Sequence, residues 1–336
     1  MPKLLLTHTP DMLANYYGDR AVAALREICE VRLNESRAVL GADALIEHAR
    51  GCEIVVSDRQ TPGFGVFFDA APDLVAFLRC AVDIRNVDVP AASRNGILVT
   101  RATPGFATSV AEMGLGFMID LARGISGCVS AYRAGREPPV HGGRTLAGAT
   151  LGIIGYGVIG VELATLARGL GMSMIVFDPH KRVEGAGVRQ VDFETLLAQA
   201  DFVVCLAVAS SETENLMDAR AFACMRPDAY FINLSRGELV DETALEVALA
   251  GGQIAGAAMD VGRAPDQKPS PKLASRADVV ATPHIAGLTP EAVEHQAFDT
   301  VEQVRALVEG RLPEHAVNPQ EAIRLSRLGI RRKEEQ

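Results

Sequence analysis

Residues Thr150 to Asp178 read TLGIIGYGVIGVELATLARGLGMSMIVFD, and the fold follows from this stretch. Gly155, Gly157 and Gly160 form G-x-G-x-x-G directly after the apolar run Leu151, Ile153, Ile154, and a second apolar run ends at an acid, Asp178. The order is strand, glycine turn, helix, strand. Gly155 allows the tight turn, Gly157 lets a pyrophosphate approach the backbone, and Gly160 lets the helix pack closely on the sheet. The helix N-terminus then offers free N–H groups and a partial positive charge to the phosphates, which makes Tyr156, Val158, Ile159 and Gly160 candidate cofactor residues with the glycines. A carboxylate at Asp178 accepts hydrogen bonds from ribose hydroxyls and repels a 2′-phosphate, which favours NAD over NADP. His180, Lys181 and Arg182 follow it and leave room for NADP.

Outward from this unit, 336 residues suit two domains. An apolar content of 48% with 22% charged residues describes a soluble globular chain. A net charge of −9 argues against general binding to nucleic acid or to acidic membranes, which needs clustered cations. No apolar run approaches the ~20 residues that cross a bilayer. The run after the start is too brief for a signal peptide, so a cytoplasmic address is expected. Six cysteines lie singly in apolar surroundings, and seven histidines lack metal-ligand spacing. Buried thiols in a reducing compartment and no metal site are expected.

Before the glycine motif, short apolar strands (from Lys3, Cys29, Cys52, Leu74 and Gly96) alternate with helical stretches such as Ala21 to Ile28 and Ala42 to His48. That alternation predicts a separate α/β unit with a parallel sheet. Ser109 to Gly124 reads as a helix apolar nearly all round, hence buried on most sides, and Gly135 to Gly148 as a polar connection. After Asp178 the alternation resumes, with strands from Phe202, Tyr230, Gln253 and Asp278, for roughly six parallel strands on the Rossmann plan. A helix from about Pro290 to Glu309 could lead the chain back to the first unit. The charged tail, Gln320 to Gln336, is expected to be solvated.

Several segments taken together resemble the D-isomer-specific 2-hydroxyacid dehydrogenase family: RNVDVPAA (Arg85 to Ala92), SVAE (Ser109 to Glu112), GIIGYGVIG (Gly152 to Gly160), INLSRGELVDETAL (Ile232 to Leu245), AAMDV (Ala257 to Val261), TPHIAGLTPEA (Thr282 to Ala292) and VNP (Val317 to Pro319). The resemblance covers nearly the whole chain. It implies two Rossmann-like α/β domains, an NAD-binding domain over residues 101–290 inserted into a flavodoxin-like substrate domain made of 1–100 and 291–336. Catalysis would take place in the cleft between them, and the family is usually dimeric through the helix and arm matching Ser109 to Gly148. The implied reaction is hydride transfer between NAD and a small 2-hydroxy or 2-oxo acid. Arg236, in N-L-S-R-G, matches the substrate arginine, where a guanidinium holds the carboxylate. His284, in T-P-H-I-A-G, matches the acid/base. Asp260 resembles the aspartate that binds the nicotinamide carboxamide, and Val208, Thr213, Leu234 and His284 join the glycine motif as cofactor residues.

Two departures stand out. The family typically reads D-V-x-x-x-E-P after that aspartate, its glutamate bonded to the histidine; this chain reads Asp260-Val261-Gly262-Arg263-Ala264-Pro265, one residue shorter, with Ala264 in the glutamate's place. Asp266 is the carboxylate that could substitute. In the substrate loop relatives often read G-V-G-V-D-N-I-D, and this chain has Ala81-Val82-Asp83-Ile84-Arg85-Asn86-Val87-Asp88. Backbone N–H groups of Val82 and Asp83 would face the substrate carboxylate, beside which an aspartate side chain is unfavourable unless paired. Arg85, Arg79 or Arg59 could neutralise it. These arginines either sit on the surface or read a second polar group of the substrate. Two functions remain open: an oxidoreductase, with an inorganic phosphite-type substrate as a lesser variant, or a dinucleotide-sensing protein that has lost efficient catalysis.

Overall fold

The computed structural model describes residues 1–140, 142–185 and 187–330. The chain divides into two compact units, 1–105 with the segment from Pro290 onward, and 106–289.

The first unit holds β1 (Lys3–Leu6), β2 (Glu30–Leu33), β3 (Ile54–Ser57), β4 (Ala76–Arg79) and β5 (Leu98–Arg101). All pair in parallel, in the order β2-β1-β3-β4-β5, which is the flavodoxin-like order. Alternate residues of the strands feed two cores. Leu4, Leu6, Ile54, Val56 and Leu78 face one side, where helices Asp19–Ile28 and Pro290–Val308 lie. Leu5, Val55, Phe77 and Val99 face the other, with Phe67 and Phe68 of the short helix Gly65–Ala70. Burying side chains of this size is worth about 1.5–3 kcal/mol each, and coverage on both faces is what continuous apolar strands require.

The second unit contains β6 (Thr150–Ile154), β7 (Ser173–Phe177), β8 (Val188–Gln190), β9 (Phe202–Cys205), β10 (Tyr230–Asn233), β11 (Gly256–Met259) and β12 (Val279–Ala281). They form a parallel sheet ordered β12-β11-β10-β9-β6-β7-β8, the doubly wound Rossmann arrangement, which reverses between β6 and β9. There are seven strands where six were expected. The extra one, β8, is three residues long with two of them exposed, so it lacks the apolar run that marks the others.

Three expectations are corrected. The long helix, Ala107–Arg123, is amphipathic: Val110, Ala111, Gly114, Phe117, Met118 and Ala122 are buried while Glu112, Gly116 and Ile119 are exposed. It continues into a second helix, Ile125–Arg133, none of whose residues is buried. Within the tail, Ala322, Leu325 and Ile330 are buried in the core of the first unit; residues 331–336 lie outside the described residues. The cysteines are all free, but Cys224 is exposed and Cys128 half-buried, whereas the other four are buried. Among the described residues no helix is long and apolar enough to cross a membrane.

Candidate active site

The turn between β6 and helix Val158–Gly169 shows what each motif glycine does. Gly155 has φ +90°, and a Cβ there would lie 2.7 Å from backbone atoms of Ala207, so neither conformation nor space admits a side chain. A Cβ on Gly160 would stand 2.9 Å from the Gly155 carbonyl oxygen, which sets how closely the helix meets the strand. Gly157 is different, because a Cβ there meets nothing within 4 Å. The protein's own packing does not require that glycine, and the space in front of it belongs to whatever approaches the helix N-terminus. The N–H of Val161 is the first in the helix bonded to a carbonyl of the turn, that of Gly157, so the amides of Val158, Ile159 and Gly160 are left for a diphosphate.

Asp178 ends β7, and its Oδ2 accepts the Tyr156 N–H at 2.9 Å while Oδ1 accepts the His180 N–H at 2.9 Å. Both oxygens are thereby fixed, with lone pairs left over for hydroxyl donors. Lys181 donates its Nζ to the Tyr156 carbonyl at 3.1 Å and lies over the Tyr156 ring at 5.5 Å. Val208 is 82% exposed. Thr213 donates its hydroxyl to the Val208 carbonyl at 2.7 Å and so shapes that loop. The Leu234 side chain is buried against the helix Ala107–Arg123, so a contact with a cofactor would come through its main chain.

Arg236, Asp260 and His284 follow the ends of β10, β11 and β12, three neighbouring strands in which Asn233, Met259 and Ala281 are in register. Buried Asn233 donates its side-chain amide to the Arg236 carbonyl at 3.0 Å, and Arg236 donates Nη1 to the Ser235 carbonyl at 2.8 Å. Asp260 is 1% exposed. Its Oδ1 accepts Thr282 Oγ1 at 2.6 Å and the Ile285 N–H at 2.8 Å, and its Oδ2 accepts the Ala286 N–H at 2.8 Å. The carboxylate thus holds the histidine loop from inside, and the His284 N–H adds a 2.9 Å bond to the Asp260 carbonyl. His284 itself has φ +61°, a conformation uncommon for a side-chain-bearing residue and typical of functional positions.

The His284 Nδ1 lies 2.9 Å from the backbone carbonyl oxygen of Asp266. A carbonyl only accepts, so Nδ1 carries the proton of that bond and Nε2 is the nitrogen free to exchange one. The recorded bond from Asp266 to the histidine is therefore made by its main chain, and the substitution expected of its carboxylate is not what this bond supplies.

In the first unit the loops after β3 and β4 are gathered by Arg79, which is 2% exposed. Its guanidinium donates to the carbonyls of Asp58 and Arg59, to the Thr61 carbonyl at 2.9 Å and to Asn86 Oδ1 at 2.8 Å. Burial brings it down to about 10. Asp58 accepts the hydroxyls of Thr7 (2.6 Å) and Thr61 (2.5 Å); burial alone would raise its carboxyl, but these bonds outweigh burial and hold it below its ordinary value. His8, next to Thr7, is fully buried with its Nδ1 unpartnered, its ring 4.8 Å from that of Tyr17. Burial pushes it down from 6.5 to about 4, against the pull of Asp58.

The carboxylate of Asp83 is paired by Arg85, whose Nε and Nη2 approach Oδ2 at 3.0 and 2.8 Å. Arg79 reaches only the Asp83 carbonyl, at 3.3 Å. Arg85, one of the three candidate neutralisers, is thus paired with the carboxylate. Arg59 lies over the Tyr16 ring at 5.4 Å, and Val82 and Asp83, in the loop after β4, are half-buried. The Asp266 carbonyl is not legible in the sequence as the histidine's partner, since a main-chain contact leaves no residue-type signal.

Residues 115–286 match the model of the D-isomer specific 2-hydroxyacid dehydrogenase, NAD binding domain. The chain is 32% identical over 321 residues to a glyoxylate reductase of Korarchaeum cryptofilum, covering 93% of this chain and 96% of that one. It is 36% identical over 244 residues to a D-3-phosphoglycerate dehydrogenase of Synechocystis sp., covering 71% of this chain and 44% of the relative. The chain spans about half the length of the phosphoglycerate dehydrogenases it matches, 44% to 59%. The solved D-lactate dehydrogenase of Escherichia coli superposes with a TM-score of 0.79 at 25% identity, covering 94% of this chain and 100% of that one. The chain belongs to the D-isomer specific 2-hydroxyacid dehydrogenase family.

Proposed function

We propose that the protein is an NAD-dependent oxidoreductase that interconverts a D-2-hydroxy acid and its 2-oxo acid. The observation that carries this reading is the row of Arg236, Asp260 and His284 on three adjacent strand ends, with Nδ1 of the histidine tied to a carbonyl and Nε2 left to exchange a proton. Bound NADH supplies the hydride that C2 of the oxo acid receives. Arg236 pairs with the substrate carboxylate and polarises the C2 oxygen. In the reductive direction His284 acts as the imidazolium, keeping the Nδ1 proton on the Asp266 carbonyl and giving the Nε2 proton to that oxygen as charge develops there; in the oxidative direction the neutral ring takes the proton back at Nε2. In the first unit, the backbone N–H groups of Val82 and Asp83 are the candidate substrate contacts, with the Asp83 side chain paired by Arg85. Arg59, carried beside them, would read a second polar group of the substrate. Asp260 keeps acceptor capacity on Oδ2 for the nicotinamide carboxamide while it holds the histidine loop.

NAD is the preferred dinucleotide because the fixed carboxylate of Asp178 would meet a 2′-phosphate, and Lys181 is engaged by the Tyr156 carbonyl. A homodimer is supported by the exposed Ile125, Val129 and Tyr132 on the helix Ile125–Arg133. A reducing compartment such as the cytoplasm suits six free cysteines.

The test is NADH oxidation with a panel of 2-oxo acids, in the wild type and in His284→Ala and Arg236→Ala. Both variants should lose turnover while NADH still binds; turnover unaffected by either change sinks the assignment. The second reading, a dinucleotide-sensing protein, is favoured by Ala264, which stands where the resemblance implies a glutamate, so that the histidine's recorded partner is a neutral carbonyl. It predicts NADH binding with no turnover on any acid.

A further inference from the structure

Ala264 carries no carboxylate, and the partner of His284 at Nδ1 is the main-chain carbonyl of Asp266. A carbonyl carries no formal charge, so it orients the ring only as well as the backbone behind it is held. That backbone is unusual: Asp266 and Gln267 are consecutive residues at φ +60° and +58°, each a conformation that costs a side-chain-bearing residue free energy unless its surroundings impose it. The turn is closed by Gly262 N–H to the Gln267 carbonyl at 2.9 Å and Ala264 N–H to the Lys268 carbonyl at 3.0 Å.

Side chains anchor it from both ends: Arg263 donates to the Val240 and Glu238 carbonyls at 3.0 and 2.8 Å, and Gln267 directly follows Asp266. The Gln267 Oε1 accepts the Gly237 N–H at 3.2 Å, and its Nε2 donates to Glu238 Oε1 at 3.1 Å. The two partners fix which end of the amide is which, because only the oxygen serves an N–H and only the nitrogen serves a carboxylate. Gly237 directly follows Arg236, and Asp266 directly precedes Gln267. This half-buried amide therefore ties the loop that carries the arginine to the turn that holds the histidine, next to the bonds that Arg263 makes to the same loop.

We propose that Gln267 is a positioning residue that aims His284 through the Asp266 carbonyl and couples it to the Arg236 loop, in place of the missing glutamate. The proposal rests on the oxidoreductase reading for its kinetic consequence, but not for its structural one. Misplacing a catalytic group by about 1 Å costs on the order of 100-fold, and losing the support of a correctly oriented histidine about 10- to 100-fold.

The experiment uses the full chain with Gln267→Met, which keeps length without hydrogen bonds, and Gln267→Glu, which keeps the acceptor for Gly237 but sets a second carboxyl against Glu238. In Gln267→Met, kcat should fall about 10- to 100-fold with little change in NADH affinity; Gln267→Glu should fall between it and the wild type. The double variant Gln267→Met/His284→Ala should be no slower than His284→Ala alone, which a general weakening of the fold would not produce. Independently of turnover, nitrogen NMR of the His284 ring should show the Nδ1–H tautomer in the wild type and a mixture in Gln267→Met. An unchanged tautomer in that variant, or additive losses in the double variant, overturns the proposal. A wild type inactive on every acid but with the predicted tautomer change overturns the oxidoreductase reading and leaves the positioning role supported.

Discussion

Acidification should reveal His8 as a stability sensor for the first unit. Its imidazole is fully buried, flanked by the ring of Tyr17, with Asp58 and Arg79 as the charged groups that act on it. Burial dominates and lowers it from 6.5 to about 4. In the unfolded chain the ring takes a proton near pH 6.5, whereas the folded chain refuses it until about pH 4. The unfolded state thus binds more protons throughout that window, and stability rises with pH across it. The contribution is fully present above pH 6.5, lost as pH falls toward 4, and constant below. At 1.36 kcal/mol for each pH unit of separation, the whole window is worth roughly 3 kcal/mol. Asp58 adds a separate loss, because its lowered carboxyl is protonated only below its ordinary value. The assay is urea unfolding at half-unit steps from pH 7 to 4, in the wild type and in His8→Asn, with histidine ring resonances followed by NMR to track the site directly. The wild type should lose about 3 kcal/mol more than the variant between pH 6.5 and 4. Parallel pH profiles, or a His8 resonance that titrates near its ordinary value, refute the reasoning.

Arg79→Met should destabilise the first unit by about 3–5 kcal/mol, because the carbonyls of Asp58, Arg59 and Thr61 lose their donor together; thermal unfolding of the variant measures it. Gly155→Ala should cost at least about 1–3 kcal/mol from the backbone conformation alone. Gly157→Val should leave the melting temperature within a degree or two, roughly 0.5 kcal/mol, and weaken NADH binding by tenfold or more, read by NADH fluorescence. Asp178→Ala should lower the preference for NADH over NADPH by about tenfold, seen as the ratio of the two affinities.

The sequence was informative where chemistry depends on residue type at fixed spacing. The glycine turn, the apolar strands and the strand-end positions of Arg236, Asp260 and His284 belong to that class, since each needs a particular side chain or its absence. The tail was misjudged because Ala322, Leu325 and Ile330 are too sparse among charges to signal burial. Strand β8, with the residues VRQ, has no composition that separates it from a loop. The histidine's partner was beyond sequence reading for a different reason: a main-chain carbonyl is present at every residue, and only the two left-handed residues at 266 and 267 aim this one.

The empty volume before Gly157 has a consequence of its own. A residue that the fold does not need but the ligand does is a place where binding can be lost in one step with no penalty in folding. A descendant carrying a small side chain there would be made, kept and inherited as a sound scaffold, silent toward dinucleotides and available for other work.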